Sequence, residues 1–135
     1  MPQAKGPRHH NTNPALEGFA TYADALEVAA GNRLLFVSGQ LGMADDGTVS
    51  ESFAEQCALA WRNLGRALAA AGMGLGDLVM LRIYLTDAAQ LGTMRRIKDE
   101  TLGELRVASS VLVVAALADP GWQIEIEAVA AKPPG

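Results

Sequence analysis

A chain of 135 residues, half of them hydrophobic and 19% charged, is long enough to bury an ordinary core and too apolar to remain disordered. Its 11 basic and 15 acidic residues leave a formal net charge of −4. Phosphate contacts supply most of a nucleic-acid binder's affinity, and no basic stripe is present to make them; the densest ordered basic cluster, Arg95-Arg96 with Lys98, is short.

Met1–Pro14 is polar and carries three prolines, which predicts a flexible tail ahead of a single domain over residues 15–135. His9 and His10 are the chain's two histidines, too few to complete a histidine metal site, so no metal is expected. Tyr22–Ala29 alternates weakly, meets the turn Ala30-Gly31-Asn32 and continues into Arg33–Gln40, predicting a β-hairpin. Gly39, at the end of that second strand, either admits close backbone approach by a ligand or another chain, or marks a bulge. Met43–Val49 reads as a loop.

Ser52-Phe53-Ala54-Glu55 has the pattern of a capping box, and Phe53, Cys57, Trp61, Leu64 and Leu68 continue as one helical stripe to about Ala71. Cys57, the single cysteine, rules out an intrachain disulfide and falls on that stripe as a buried structural thiol. Gly72 and Gly74 end the helix. Asp77–Tyr84 is a strand of large apolar groups. Asp87 caps a second helix whose inner stripe is Leu91, Met94, Ile97 and Thr101-Leu102, with Arg95, Arg96 and Asp99 opposite and Gly103 at its end. Val107–Ala130 then reads as two strands around the turn Pro120-Gly121. Val111–Leu117 is apolar throughout, which predicts burial of both its faces. In the second strand Ile124, Ile126 and Ala128 share one face, and Gln123, Glu125 and Glu127 share the other. No apolar run of about 18 residues predicts a membrane span, and the N-terminus lacks a signal peptide's apolar core, so the cytoplasm is the expected compartment.

Two right-handed strand–helix–strand crossovers put both helices on one face of a mixed sheet. No third helix remains for the other face, and a soluble monomer does not tolerate an exposed apolar face of that size. A second copy of the same chain, sheet against sheet, is the simplest cover, with the site-bearing face at the interface.

Several segments together resemble the RidA/YjgF family of small trimeric proteins. They are Tyr22, Leu35-Phe36-Val37-Ser38-Gly39-Gln40, Ile83-Tyr84-Leu85-Thr86-Asp87, Ala108-Ser109-Ser110 with Val111–Leu117, and Ile124-Glu125-Ile126-Glu127-Ala128, spread over about residues 17–131. The resemblance implies an α+β, chorismate-mutase-like fold: one mixed, six-stranded-type sheet with two helices on one face. It further implies a homotrimer whose sheets face inward as a pseudo-barrel, with a small-molecule ligand in each of three clefts between subunits. The best-known members hydrolyse reactive enamines and imines to 2-oxo acids and ammonia and need no cofactor. Older family labels speak of an endoribonuclease.

The resemblance carries over residue by residue. Glu125 matches the family acid that holds or activates the attacking water, which implies a catalytic role; Glu127 lies one repeat away on the same face. Ser38 and Gly39 match the strand end that lines the cleft, and Tyr22 matches its tyrosine. Arg95 stands where the family has an asparagine, either restoring positive charge to the cleft or lying on a solvated face. Trp122 either walls the cleft or plugs the structure. The family's Pro-Ala-Arg triplet, whose arginine grips the substrate carboxylate, is here Val107, Ala108 and Ser109. A serine hydroxyl offers one neutral hydrogen bond of about 0.5–1.5 kcal/mol in place of a bidentate charged pair at about 1.5–3. The expected function is hydrolysis of a small imine, enamine or related metabolite. The alternatives are a non-catalytic metabolite-binding module and, disfavoured by the charge, an RNA-cleaving protein.

Overall fold

The structure, a computed structural model, describes residues 6–14 and 23–135. Its elements are β1 (Arg8–His10), β2 (Ala25–Glu27), β3 (Arg33–Leu41), α1 (Phe53–Ala70), β4 (Leu78–Leu85), α2 (Leu91–Leu102), β5 (Ala108–Val113) and β6 (Ile124–Lys132). Strands β3-β6-β4-β5 form a mixed sheet in that order: β6 is antiparallel to both its neighbours, and β4 and β5 are parallel. Strands β1 and β2 make a separate antiparallel ribbon, joined to the sheet's β5 edge by a bridge between Ala23 and Ala108. The mixed sheet with two helices is the expected α+β architecture, its six strands divided four and two.

Several local expectations are corrected. The segment read as a flexible tail contains β1, and β2 pairs with β1 and not with β3. Strands β5 and β6 do not form a hairpin, because β4 lies between them and hydrogen-bonds to both. Residues 111–117 are not a strand buried on both faces. β5 ends at Val113 and has a ladder partner on one side only, leaving Val111, Leu112 and Val113 at 38%, 39% and 49% exposure.

Helix α1 begins as its sequence dictates, with the Ser52 hydroxyl accepting the Glu55 amide at 3.3 Å. The reciprocal half of the capping box is absent: Glu55 is held by the Ser50 hydroxyl, which also accepts the Ser52 amide. Gly72, at φ +71, closes the helix in the left-handed region that favours glycine. Asp87 caps the short turn Ala88–Gln90 that leads into α2, not α2 itself.

The core lies between the helices and one sheet face. Leu64, Leu68 and Met94 from the helices meet Leu81, Ile83 and Leu85 of β4 and Ile124, Ile126 and Ala130 of β6, all fully buried. Burial also pushes the Cys57 thiol up to about 11, in keeping with a structural role. Lys98 takes a place on the inner side of α2, and desolvation lowers its amine's pKa. No helix among the described residues is long and apolar enough to cross a membrane. No helix among the described residues covers the other sheet face. Leu34 and Phe36, at 53% and 74% exposure, stand on it.

Leu81 sits at the centre of the core with no exposed surface. Leu81→Ala is expected to lower unfolding free energy by about 2–5 kcal/mol, the range for an internal leucine cavity, as read from urea denaturation.

Candidate functional site

The alternation of β6 decides which side chains can do chemistry. Ile124, Ile126, Ala128 and Ala130 are buried against the helices, so Glu125 and Glu127 must stand on the open face. Register supplies their neighbours on β4: Glu125 lies opposite Tyr84, and Glu127 opposite Arg82. The Tyr84 hydroxyl donates to Glu127 Oε1 at 2.5 Å, and Arg82 Nη1 stands 3.5 Å from the same oxygen. The Arg82 and Glu127 side chains are 49% and 36% exposed, so this ion pair contributes little stability by itself. The hydrogen bond to Glu127 raises the Tyr84 phenol's pKa, assisted by burial and by the charges of Glu127 and Glu125.

Across β6, the β3 ladder shifts register between Val37 and Gln40, a bulge at Ser38-Gly39. Of the two readings of Gly39 the bulge is the one present, and Glu125 of the same chain lies close against it. A Cβ on Gly39 would lie 2.5 Å from Glu125 Cδ, so only glycine leaves the carboxyl room to lie over the strand. A shallow cleft of about 220 Å³ opens on this face between Phe36, Ser38, Arg82, Glu127 and Val129. A second, of about 500 Å³, lies at the start of β6 between Ser50, Glu51, Asp119, Trp122 and Gln123. Trp122 therefore walls a cleft, though a different one from that beside Ser38.

The structure does not unite all the residues singled out in the sequence. Ser109 pairs with Leu81, whose side chain is in the core, so by register Ser109 shares the helix side of the sheet. Glu125 is on the opposite side, with β4 between their strands. Arg95 is exposed on α2, which packs on that same helix side and away from Glu125. Tyr22 lies outside the described residues. Among the described residues no cluster of three or more His, Cys, Asp or Glu could hold a metal ion.

Two features were missed in the sequence. The Arg82–Glu127–Tyr84 cluster needs the β4–β6 register, which no local pattern reveals. Gln56 had a signal. It lies on the apolar stripe of α1 beside Cys57, where a polar residue needs partners. It is 1% exposed and finds three: Nε2 donates to Ser50 O at 2.7 Å and Gly121 O at 2.9 Å, and Oε1 accepts the Gln123 amide at 3.0 Å.

The model of the family described as endoribonuclease L-PSP matches residues 12–132. The 2-iminobutanoate/2-iminopropanoate deaminase of Rattus norvegicus is 33% identical over 126 residues, covering 92% of this chain and 89% of the relative. The mitochondrial protein mmf2 of Schizosaccharomyces pombe is 34% identical over 101 residues, covering 73% and 80%. The crystal structure of YyfB from Yersinia pestis, described as a Rid-family protein of unknown function, superposes with a TM-score of 0.81 at 29% identity, covering 95% of this chain and all of that one. The chain therefore belongs to the endoribonuclease L-PSP family, that of the RidA/YjgF proteins.

Proposed function

We propose that this protein hydrolyses small reactive imines, or the enamines that tautomerise to them, with Glu125 positioning the attacking water. The observation that carries the reading is the seat of Glu125, laid over the backbone at Gly39 on the open sheet face. The deaminase activity named for the rat relative supports the same chemistry. Glu127 is engaged by Tyr84 and Arg82, whereas Glu125 has no such partner among the described residues. In the reaction the Glu125 carboxylate takes a proton from water as its oxygen attacks the imine carbon. The proton passes to nitrogen to give a carbinolamine; its hydroxyl proton then passes to the amine as the C–N bond breaks and the C=O bond forms, and ammonia leaves a carbonyl product. Atoms balance with water alone and no electrons are exchanged, so the step calls for no redox cofactor.

One chain keeps Ser109 and Glu125 on opposite faces of its sheet. A site that uses both must draw them from two copies, as it would in a homotrimer with ligand clefts between subunits. The exposed Leu34, Phe36 and Leu112 give such an interface its apolar surface. Ser38, Gly39, Ser109, Tyr22 and Trp122 are the proposed substrate contacts. Arg95 joins them only if a neighbouring copy brings its helix to the cleft. The cytoplasmic location expected from the sequence belongs to this proposal too; the fission-yeast relative is a mitochondrial protein.

A second reading, a metabolite-binding module without turnover, is favoured by one observation: Ser109 provides no positive charge for a substrate carboxylate.

Glu125→Gln is expected to cut ammonia release from imines generated in situ by about 10²–10⁴-fold, the usual contribution of a general base, without altering the fold. Wild-type protein that binds an uncharged analogue of the carbonyl product in calorimetry yet releases no ammonia points to the second reading. Phe36→Asp, a charge in the apolar patch, is expected to shift sedimentation of the assembled protein towards the monomer. Glu127→Gln is expected to move the Tyr84 phenol down towards the ordinary tyrosine range, because it removes the charged acceptor that stabilises the protonated hydroxyl. Alkaline titration of phenolate absorbance reads this directly, and no shift counts against the Tyr84–Glu127 hydrogen bond.

A further inference from the structure

We infer that Gln56 is the positioning residue of this site, acting through Gly121–Gln123 to fix where Glu125 and Trp122 stand. It touches no part of the proposed chemistry. Its buried amide ties three backbone points together: Ser50 just ahead of α1, and Gly121 and Gln123 on either side of Trp122. All its hydrogen bonds go to main chain, so they specify backbone position and not another side chain's rotamer. The Gln123 side chain extends the tie by donating to Glu51 O at 3.0 Å, and Gln123 O accepts the Thr86 amide at the end of β4. Every one of Ser50, Glu51, Gly121, Trp122 and Gln123 lines the cleft of about 500 Å³. The walls of that cleft are therefore tied to one another through Gln56, with Gln123 to Glu51 as a second tie.

The same helical turn also reaches β3. A Cβ on Gly42 would lie 2.3 Å from Gln56 O, so the chain leaving β3 packs directly on the α1 backbone. Gly39, three residues earlier, carries the Glu125 carboxyl. Gln56 thus sits where the exit of β3 and the entry of β6 are both referenced to α1, and Glu125 is two residues beyond Gln123. A misplacement of order 1 Å at a reacting group costs up to about 10²-fold in rate. Backbone at the mouth of a strand can slip by that much when its anchor is lost.

The kinetic part of this inference rests on the proposed role of Glu125; the structural part does not, and the experiment separates them. Gln56→Met keeps length and volume but removes all three hydrogen bonds. Gln56→Glu keeps an acceptor for the Gln123 amide while removing the two donors, and serves where the first variant folds poorly. Amide hydrogen exchange is expected to rise by about 10–100-fold at residues 121–126 and to stay unchanged at residues 64–68 of α1. In turnover, kcat is expected to fall by about 10–100-fold through Glu125 and KM to rise through the displaced Trp122, and Gln56→Met is expected to cost no further kcat in a Glu125→Gln background. Unchanged exchange at residues 121–126 overturns the inference. So does a kcat loss that multiplies in full with that of Glu125→Gln, or a lowered melting temperature with kcat and KM intact. If wild-type protein releases no ammonia, the hydrolase reading fails and exchange alone decides: faster exchange confined to residues 121–126 upholds the clamp, and unchanged exchange removes it.

Discussion

The register of β6 is the constraint on which the rest depends. This strand comes last in the chain yet lies between β3 and β4, hydrogen-bonded on both sides. Its alternation leaves one solution. With Ile124, Ile126 and Ala128 turned to the helices, the two carboxylates face outward. A slip of one residue would drive Glu125 and Glu127 into the core and expose the isoleucines, a change far too costly to be populated. The burial of the core and the presentation of the acids are therefore the same fact seen from two faces of one strand.

Close backbone packing sharpens that placement. Register alone sets a side chain's face, not its position within a few ångströms. Here two glycines do the rest. Gly39 lets Glu125 lie against β3, and Gly42 lets the end of β3 lie against α1. Neither requires a positive φ. Both are glycine for want of space, a distinction that a sequence cannot make because the neighbour lies far away in the chain. Interiors packed at such density transmit displacement rather than absorb it, which is why a polar residue inside α1 can govern a carboxylate on the opposite side of the sheet.

Much of this fold was legible because its signals are local. The stripe of α1, the cap at Ser52, the apolar run of β4 and the alternation of β6 each declare themselves within a few residues, and each is present. What failed depended on distance. Residues 111–117 carry the composition of a doubly buried strand, but β5 is an edge whose apolar groups are exposed within one chain. The Pro120-Gly121 turn suggested a hairpin, yet turn chemistry says where a chain reverses and not which strand it then pairs with. The ribbon of β1 and β2 escaped for a similar reason: three-residue strands carry too little pattern to mark their partner. For the candidate site, Glu125 and Gly39 were singled out by pattern and resemblance and lie side by side. Ser109 was singled out in the same way and is not near them within the chain.

That separation bears on chemistry. Neighbouring strands lie about 4.8 Å apart, so Ser109 and Glu125, two strands apart and on opposite faces, cannot both touch one small molecule in a monomer. Either one of them is not in the site or the site is shared between chains. The exposed Val111, Leu112 and Val113 sit on the same edge strand as Ser109, and the exposed Leu34 and Phe36 on the same open face as Glu125. Each candidate site residue thus stands next to an apolar surface that lacks a cover. Burying both surfaces against copies of the chain would bring a β5 edge to an open face, and with it a Ser109 to a Glu125. On that reasoning oligomerisation would complete the proposed site by the same contacts that satisfy the hydrophobic surface, and a variant that remains monomeric should lose ligand affinity even with every proposed site residue intact.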